Sequence, residues 1–513
     1  MEDALLQTAL ERLAEADILL VQGLPPESEY RFKHALIQDA AYENLLKSRR
    51  QVLHRRVGEV VLDKFGGTAA AEPELLAHHF TQAGVIEAAI EWWGKAGQRS
   101  LERSALVEAA EQLTRALEQI ATLPSTAALR REQIRLQVGL ITPLFYVTGP
   151  AAPETKAAEE QALLLIEQAE ALGEPPEDPL LLFSVLYGFW AANYGTFNGD
   201  VLCNLAVQFL AVAEKQRATV PLMIGHRLMG TSLMLTGDIA EGRAHLDQAI
   251  ALYDPAEHRQ LTMRFGIDSG VAALAYRSWV LWLLGYPEAA RTDADDALKD
   301  AREIGQAATL VWGLSHTAIL HTLCGNLAAA AEQAYELVAL AEEKGSFVYR
   351  KAMGMANQVS VLALIGRASE AIEMITAWRA TGSTFWMPLY LPHLARAHGE
   401  LGQFEEAWHG IGEAMTAVET TKEKWCEADV HRTAGELTLM SPEPDAAKAE
   451  AYFERALAIA RQQQAKSWEL RAAMSMARLW RDQASGTTPA ICTRSEAGQG
   501  VARRAGVMRM PWA

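Results

Sequence analysis

The sequence predicts an all-α protein built from stacked helical hairpins, and three observations carry that expectation. Its 513 residues exceed one ordinary core; at roughly 150 residues per domain they call for about three domains or one long repetitive array. Half of the residues are hydrophobic, 22% are charged and the mean hydropathy is −0.02, a balance that buries surface and excludes wholesale disorder. The third observation is internal repetition: an apolar helix ends in Leu or a similar residue, then Gly, a short turn, and a second helix rich in alanine.

The order of elements begins with a distinct segment, residues 1–65. Leu5 to Ala16 read as an amphipathic helix, and "DILLVQG" and "YRFKHAL" flank the turn-forming "LPPESE", which predicts a β-hairpin. Two helices follow, "ALIQDAAYENLL" and "SRRQVLHRRVGEVVLDKF", with Ser48 as the expected cap of the second. Helix, hairpin and helix make a partial winged-helix-like module. Residues 66–73, "GGTAAAEP", read as a linker into the first helical hairpins, which occupy 66–171 and include a turn at Gly84. The prolines of "LGEPPEDP", residues 172–179, break the helical pattern.

Residues 172–483 carry the clearest repeats. Their turn glycines are Gly237, Gly285, Gly325, Gly366 and Gly402, at successive spacings of 48, 40, 41 and 36. Each falls where a helix must stop, because glycine reaches the left-handed conformation cheaply. Alanines after the turns, such as Ala240, Ala244, Ala289, Ala290 and Ala371, let the second helix approach the first. A weaker copy starts at Pro442. Bounded but irregular periods of this kind describe a tetratricopeptide-like helical-hairpin solenoid. The tail from Ala484 to Ala513 loses the helical stripe, holds four arginines against one glutamate, and reads as a disordered basic segment outside the fold.

Composition excludes several functions. Lys plus Arg is 47 against 64 Asp plus Glu, a net charge of −17, so the surface as a whole repels phosphate backbones and no nucleic-acid partner is expected. The basic run Lys47 to Arg56 reads as the exposed side of one helix. Four widely spaced cysteines without CxxC, and histidines without HExxH, indicate a reducing compartment, no metal and no cofactor. The N-terminal stretch has no secretory pattern and no long uncharged apolar run occurs, so a cytoplasmic protein with no membrane partner is expected. "WGKAG", Trp93 to Gly97, is not a phosphate loop: the upstream glycine is missing and Ala96 follows Lys95 where Ser or Thr holds magnesium.

Long strings resemble a known architecture. "YRFKHALIQDAAYENLLKSRRQVLHRRVGEVV" with "LLAHHFTQAG" is similar to the junction after the nucleotide-binding core of bacterial STAND-type ATPases. "HRLMGTSLMLTGDIAEGRAHLDQAIALYDPAEHRQLTMRFGIDSGVAALAYRSWVLWLLGYPEAA" and "QQQAKSWELRAAMSMARLWRDQ" resemble the repeat region of fusions in which an adenylate/guanylate cyclase domain precedes the ATPase and the tetratricopeptide-like repeats. The resemblance spans roughly residues 1–483. It implies a regulatory region of a signalling protein, truncated or split, with a separately encoded ATPase and cyclase portion as an expected partner, and it brings no catalytic residue. The expected class is therefore non-enzymatic, with two alternatives: action within a cyclase through domains absent from this chain, or an ATP-dependent transcription regulator.

Alignment on the turn glycines nominates a groove. Nine positions before the glycine stand Tyr276, His316, Asn357 and His393, and seven earlier stand Ser269, Thr309, Arg350 and Trp386. In solenoids the first helices line the concave face, so this stripe is a candidate site for a protein or small-molecule effector; the alternative is ordinary solvated helix surface. Arg264 and Asp268 of "RFGIDSGVAAL" are a second candidate, with Asp268 equally suited to cap the helix that follows. His316 and His321, His393 and His398, and the adjacent His78 and His79 are spaced to diverge and read as poor metal sites. Most of the thirteen tryptophans are expected as wedges between helices.

Overall fold

The computed structural model describes residues 3–23, 28–149, 152–174, 178–345, 348–379 and 386–484. Most of the "LPPESE" turn, the centre of the 172–179 break, and the basic tail beyond Ala484 lie outside the described residues. The chain forms two compact units, one of residues 1–97 and 112–124, the other of residues 98–111 and 125–513.

The first unit opens with α1 (Asp3–Glu15) and a two-stranded antiparallel hairpin, β1 (Leu19–Gln22) and β2 (Glu29–Phe32), in which Leu19 pairs with Phe32. Next come α2 (Ala35–Glu43), α3 (Lys47–Lys64), α4 (Gly66–Ala71) and α5 (Pro73–Ala83). Two expectations are corrected here. Ser48 does not cap α3, because the helix already starts at Lys47 and Leu46 holds the cap position. The expected linker 66–73 is mostly helical, since "GGTAAA" closes a turn before Pro73 starts the next helix at a position that needs no amide proton.

Gly84, with φ +73°, ends α5 as expected. His78 and His79 do not diverge. Their ring centroids are 5.8 Å apart and both face His54 of α3, with the Nδ1 atoms of His54 and His79 at 2.8 Å. Adjacent side chains on a helix reach one neighbour when that neighbour sits over the seam between them. α6 (Ile86–Glu102) and α7 (Leu106–Ile120) follow.

The second unit is the hairpin array. It begins with α8 (Ala127–Val147) and α9 (Pro153–Ala171), then α10 (Leu180–Thr196) with α11 (Gly199–Gln216), and α12 (Thr219–Thr236) with α13 (Ile239–Leu252). Short α14 (Pro255–His258) and α15 (Thr262–Phe265) lead to α16 (Ser269–Leu283) with α17 (Pro287–Ile304) and α18 (Ala307–Leu323) with α19 (Leu327–Lys344). The array continues through α20 (Val348–Leu364) with α21 (Ala368–Arg379), α22 (Met387–Glu400) with α23 (Phe404–Thr421), and α24 (Glu427–Met440) with α25 (Ala446–Gln462), ending in α26 (Lys466–Ala484). All five turn glycines of the repeats have positive φ, Gly237 at 104° being the largest.

The first helices α16, α18, α20, α22 and α24 pack in succession, and their inner faces are buried because the array closes on itself. Trp282 of α16 meets Trp468 of α26 edge to face at 4.8 Å. Arg471 donates to the Leu323 carbonyl at 2.5 Å, Ser467 donates to that of Trp282, and the Lys424 amide donates to the Leu235 carbonyl at 2.9 Å. Trp190, Trp279, Trp386, Trp425 and Trp468 are all fully buried, the wedge role expected of them.

Candidate functional site

Closure of the array turns the expected groove into an interior. Tyr276, His316, Asn357, Arg350 and Trp386 come together there and are essentially inaccessible. The stripe is therefore neither an open groove nor solvated surface in this structure.

Its centre is a hydrogen-bonded relay. The Nδ1 of His316 lies 2.8 Å from the Trp312 carbonyl, an acceptor only, so Nδ1 carries the proton and Nε2 accepts. Nε2 is 3.2 Å from the Tyr276 hydroxyl, which must donate to it; the Tyr194 hydroxyl then donates to the Tyr276 oxygen. Burial, with the Arg350 charge adding to it, holds the His316 pKa well below 6.5, in keeping with this neutral tautomer. The ring lies nearly parallel to Trp312 at 4.4 Å and to Trp279 at 5.2 Å.

Flanking layers are tied in similarly. Asn357 donates to the Ser315 carbonyl at 3.3 Å and accepts from the Tyr390 hydroxyl at 2.9 Å. Trp386, in a left-handed conformation at the start of α22, meets Trp279 at 5.0 Å, and Trp279 stacks on Trp425 at 5.3 Å. The Trp425 indole donates to Glu423 at 3.0 Å, and burial pushes that carboxyl up to about 8. The Arg350 guanidinium stands 4.0 Å above the Trp312 ring.

The other nominated residues sit apart from this centre. His393 is half-buried on α22, hydrogen-bonded to Ser360 at 3.0 Å, and desolvation lowers its pKa to about 4. Asp268 caps α16, accepting from the Val271 amide at 2.9 Å and from the Tyr253 hydroxyl at 2.7 Å. Arg264 pairs with Asp178.

Arg264 also borders a small crevice, partly open to solvent, whose walls include Tyr146, Tyr187, Trp190, Tyr194 and Trp312. Over the Tyr187 ring, at 5.2 Å from its centre, is the guanidinium of Arg227 on α12. Arg227 is 0% exposed, and its three guanidinium nitrogens have no hydrogen-bond partner. Alignment on turn glycines passed over Arg227 because it stands ten positions before Gly237, one off the compared position; a lone arginine within "PLMIGHRLMGTSLML" was the available signal.

Among the described residues, no cluster of three or more His, Cys, Asp or Glu could hold a metal, and no helix is long and apolar enough to cross a membrane. No protein-family model matches the chain. An uncharacterized protein of Rhizobium meliloti (strain 1021) is 24% identical over 435 residues; the match takes in 83% of this chain and 41% of that protein, so the chain spans well under half of its relative. Solved structures with similar helical arrays include a Rap protein complexed with competence and sporulation factor (12% identity, 78% of this chain and 98% of that one, TM-score 0.46). Another is a chain of the APC/C hetero-tetramer Cut9–Hcn1 (12% identity, 79% and 76%, TM-score 0.42), and a third is yeast Tom70 (12% identity, 90% and 98%, TM-score 0.32).

Proposed function

We propose that this chain is a non-catalytic recognition region of a larger signalling protein. Its hairpin array takes up a protein or small-molecule effector and passes the change to partner domains, an ATPase and a nucleotide cyclase in the architecture its sequence resembles. The supporting observation is the buried relay Tyr194, Tyr276, His316 with its Asn357–Tyr390 extension, which crosses α10, α16, α18, α20 and α22. Side-chain bonds through the interior make each hairpin's angle depend on its neighbours. An effector that binds two curvatures unequally then shifts the population of the whole array. His316 is unsuited to general-base work, because both of its nitrogens are engaged and solvent does not reach it.

Two measurements test this reading. Purified chain with ATP and magnesium or manganese is expected to give neither cyclic AMP nor phosphate above background; turnover abolished by a substitution in this chain rejects it. Added to an ATPase–cyclase portion of the resembled architecture, the chain is expected to change the rate of ATP hydrolysis, and an unchanged rate removes the regulatory role.

A further inference from the structure

Two buried donors stand unmatched around the crevice between α8, α10, α15 and α18. Trp312 of α18 forms part of its wall, is 4% exposed, and its indole N–H has no hydrogen-bond partner. Arg227 of α12 holds its guanidinium over the ring of Tyr187, another wall residue, and none of its three nitrogens has a partner. A buried cation without a counter-charge is strongly unfavourable, and a ring face offsets only part of that.

The carboxyls of this interior do not supply the missing charge. Glu159 has its Oε1 3.3 Å from where a Cβ on Gly188 of the crevice wall would stand, and Glu423 is hydrogen-bonded to Trp425 in the aromatic stack. Burial pushes both up to about 8, so both are largely protonated at neutral pH. At the rim, Asp178 is taken by Arg264. Positive charge gathers instead: Arg350 stands 4.0 Å from the centre of the Trp312 ring, and Arg227 and Arg350 both act on the Tyr146 hydroxyl of the wall, opposing the burial that raises its pKa. The room is about 30 Å³, where roughly 10–15 Å³ already admits one water molecule. A monatomic anion is only slightly larger than water and fits; phosphate and organic carboxylates, with several heavy atoms each, do not.

We propose that the crevice binds one chloride ion, which accepts from the Trp312 indole N–H and lies in the positive field of Arg227 and Arg350. Tyr187, Arg227 and Trp312 belong to α10, α12 and α18, so the ion ties three hairpins of the array together. Chloride concentration then sets how firmly those hairpins hold one another, because an ion that binds only the folded array stabilises it by mass action. The inference goes beyond the effector reading and uses none of it, and its test needs no ATPase portion.

Full-length chain in sodium gluconate is titrated with sodium chloride at constant ionic strength, following the chlorine NMR line width and thermal unfolding. The chain is expected to broaden the chloride resonance and to melt at a higher temperature as chloride replaces gluconate. Bromide is expected to compete the broadening away, and phosphate, too large for the crevice, to leave it unchanged. R227M is expected to lose both responses, and W312F, which keeps a ring but removes the donor, to weaken chloride severalfold; W312F carries the test if R227M does not fold. An unbroadened resonance with equal melting in chloride and gluconate would mean that water alone fills the crevice, and overturns the proposal without using any variant. Broadening that persists undiminished in either folded variant, or that phosphate removes, assigns the ion to the exposed surface and overturns it as well. Failure here leaves the effect on an ATPase portion untouched, and a chain that binds chloride but alters no ATPase keeps this inference while losing the regulatory one.

Discussion

The Nε2 of His316 and the hydroxyl of Tyr276 are 3.2 Å apart, joining α16 to α18 at a point that no water reaches. The tautomer of His316 makes this a directed bond from Tyr276. Y276F would leave a buried ring nitrogen without a donor and the Tyr194 hydroxyl without its acceptor. The expected loss is about 1–3 kcal/mol of unfolding free energy, read from urea midpoints. A midpoint equal to that of the wild type would show that the relay adds nothing.

Buried carboxyls and buried histidines set opposite pH trends. Glu423 has a folded pKa of about 8 against an ordinary 4.5, so the native state holds a proton that the unfolded chain has released. Its stabilising contribution is complete below the unfolded value and decays as pH climbs toward and through about 8. For His316 and His393 the folded pKa is depressed, and stability is lost as pH falls below about 6.5. Of these two trends, it is the carboxyl one that operates on the alkaline side, where the burial-raised thiols of Cys203, Cys324 and Cys426 add a trend of the same sign near pH 9. E423Q keeps an acceptor for the Trp425 indole and cannot ionise, so its melting temperature is expected to fall less than that of the wild type between about pH 7 and pH 9. Parallel curves would place the titration elsewhere.

The hairpins were legible wherever a glycine makes the turn, because that backbone conformation has a residue signature; Gly325 and Gly402 both have φ of 76°. The hairpin of α10 and α11 was not. There Phe197 takes the left-handed position at φ 43°, and Asn198 caps the next helix by accepting from the Val201 amide. Closure of the array was also illegible, since its contacts join Trp282 to Ser467 and Leu323 to Arg471 across separations of 185 and 148 residues. Helical spacing put Tyr276, His316 and Asn357 on one face correctly. Whether that face meets water is decided by those remote contacts.

Arg432 is the hub of a half-buried charge cluster. It donates to Asp429 at 2.7 Å and to Glu436 at 2.6 Å, and Ser475 donates to the same Glu436 oxygen at 2.9 Å. Burial alone would raise both acids, but Arg432, joined by Arg471 at Asp429 and by Arg396 and Ser475 at Glu436, holds them below their ordinary values. Removing the hub leaves the two anions with only Arg471 and Arg396 near them, so R432M is expected to lose about 1–3 kcal/mol. Adding E436Q to R432M should restore part of that loss in equilibrium unfolding; additive effects would mean that the pair is not coupled.

Gly242 of α13 and Gly412 of α23 separate close packing from mere permissiveness. A Cβ on Gly242 would stand 2.9 Å from both the Gly230 carbonyl oxygen and the Met234 amide nitrogen, backbone atoms of α12 that cannot swing aside. The two helices would have to part, and G242A is expected to destabilise by about 1–3 kcal/mol. At Gly412 nothing lies within 4 Å of the same position and the residue is interior to a helix. Alanine there removes backbone freedom from the unfolded chain at no steric expense, so G412A is expected to stabilise by about 0.5–1 kcal/mol. Thermal unfolding of the two variants side by side gives shifts of opposite sign. If both fell, helix propensity would not explain Gly412; if both rose, α12 and α13 would not be in the close contact that the glycines permit.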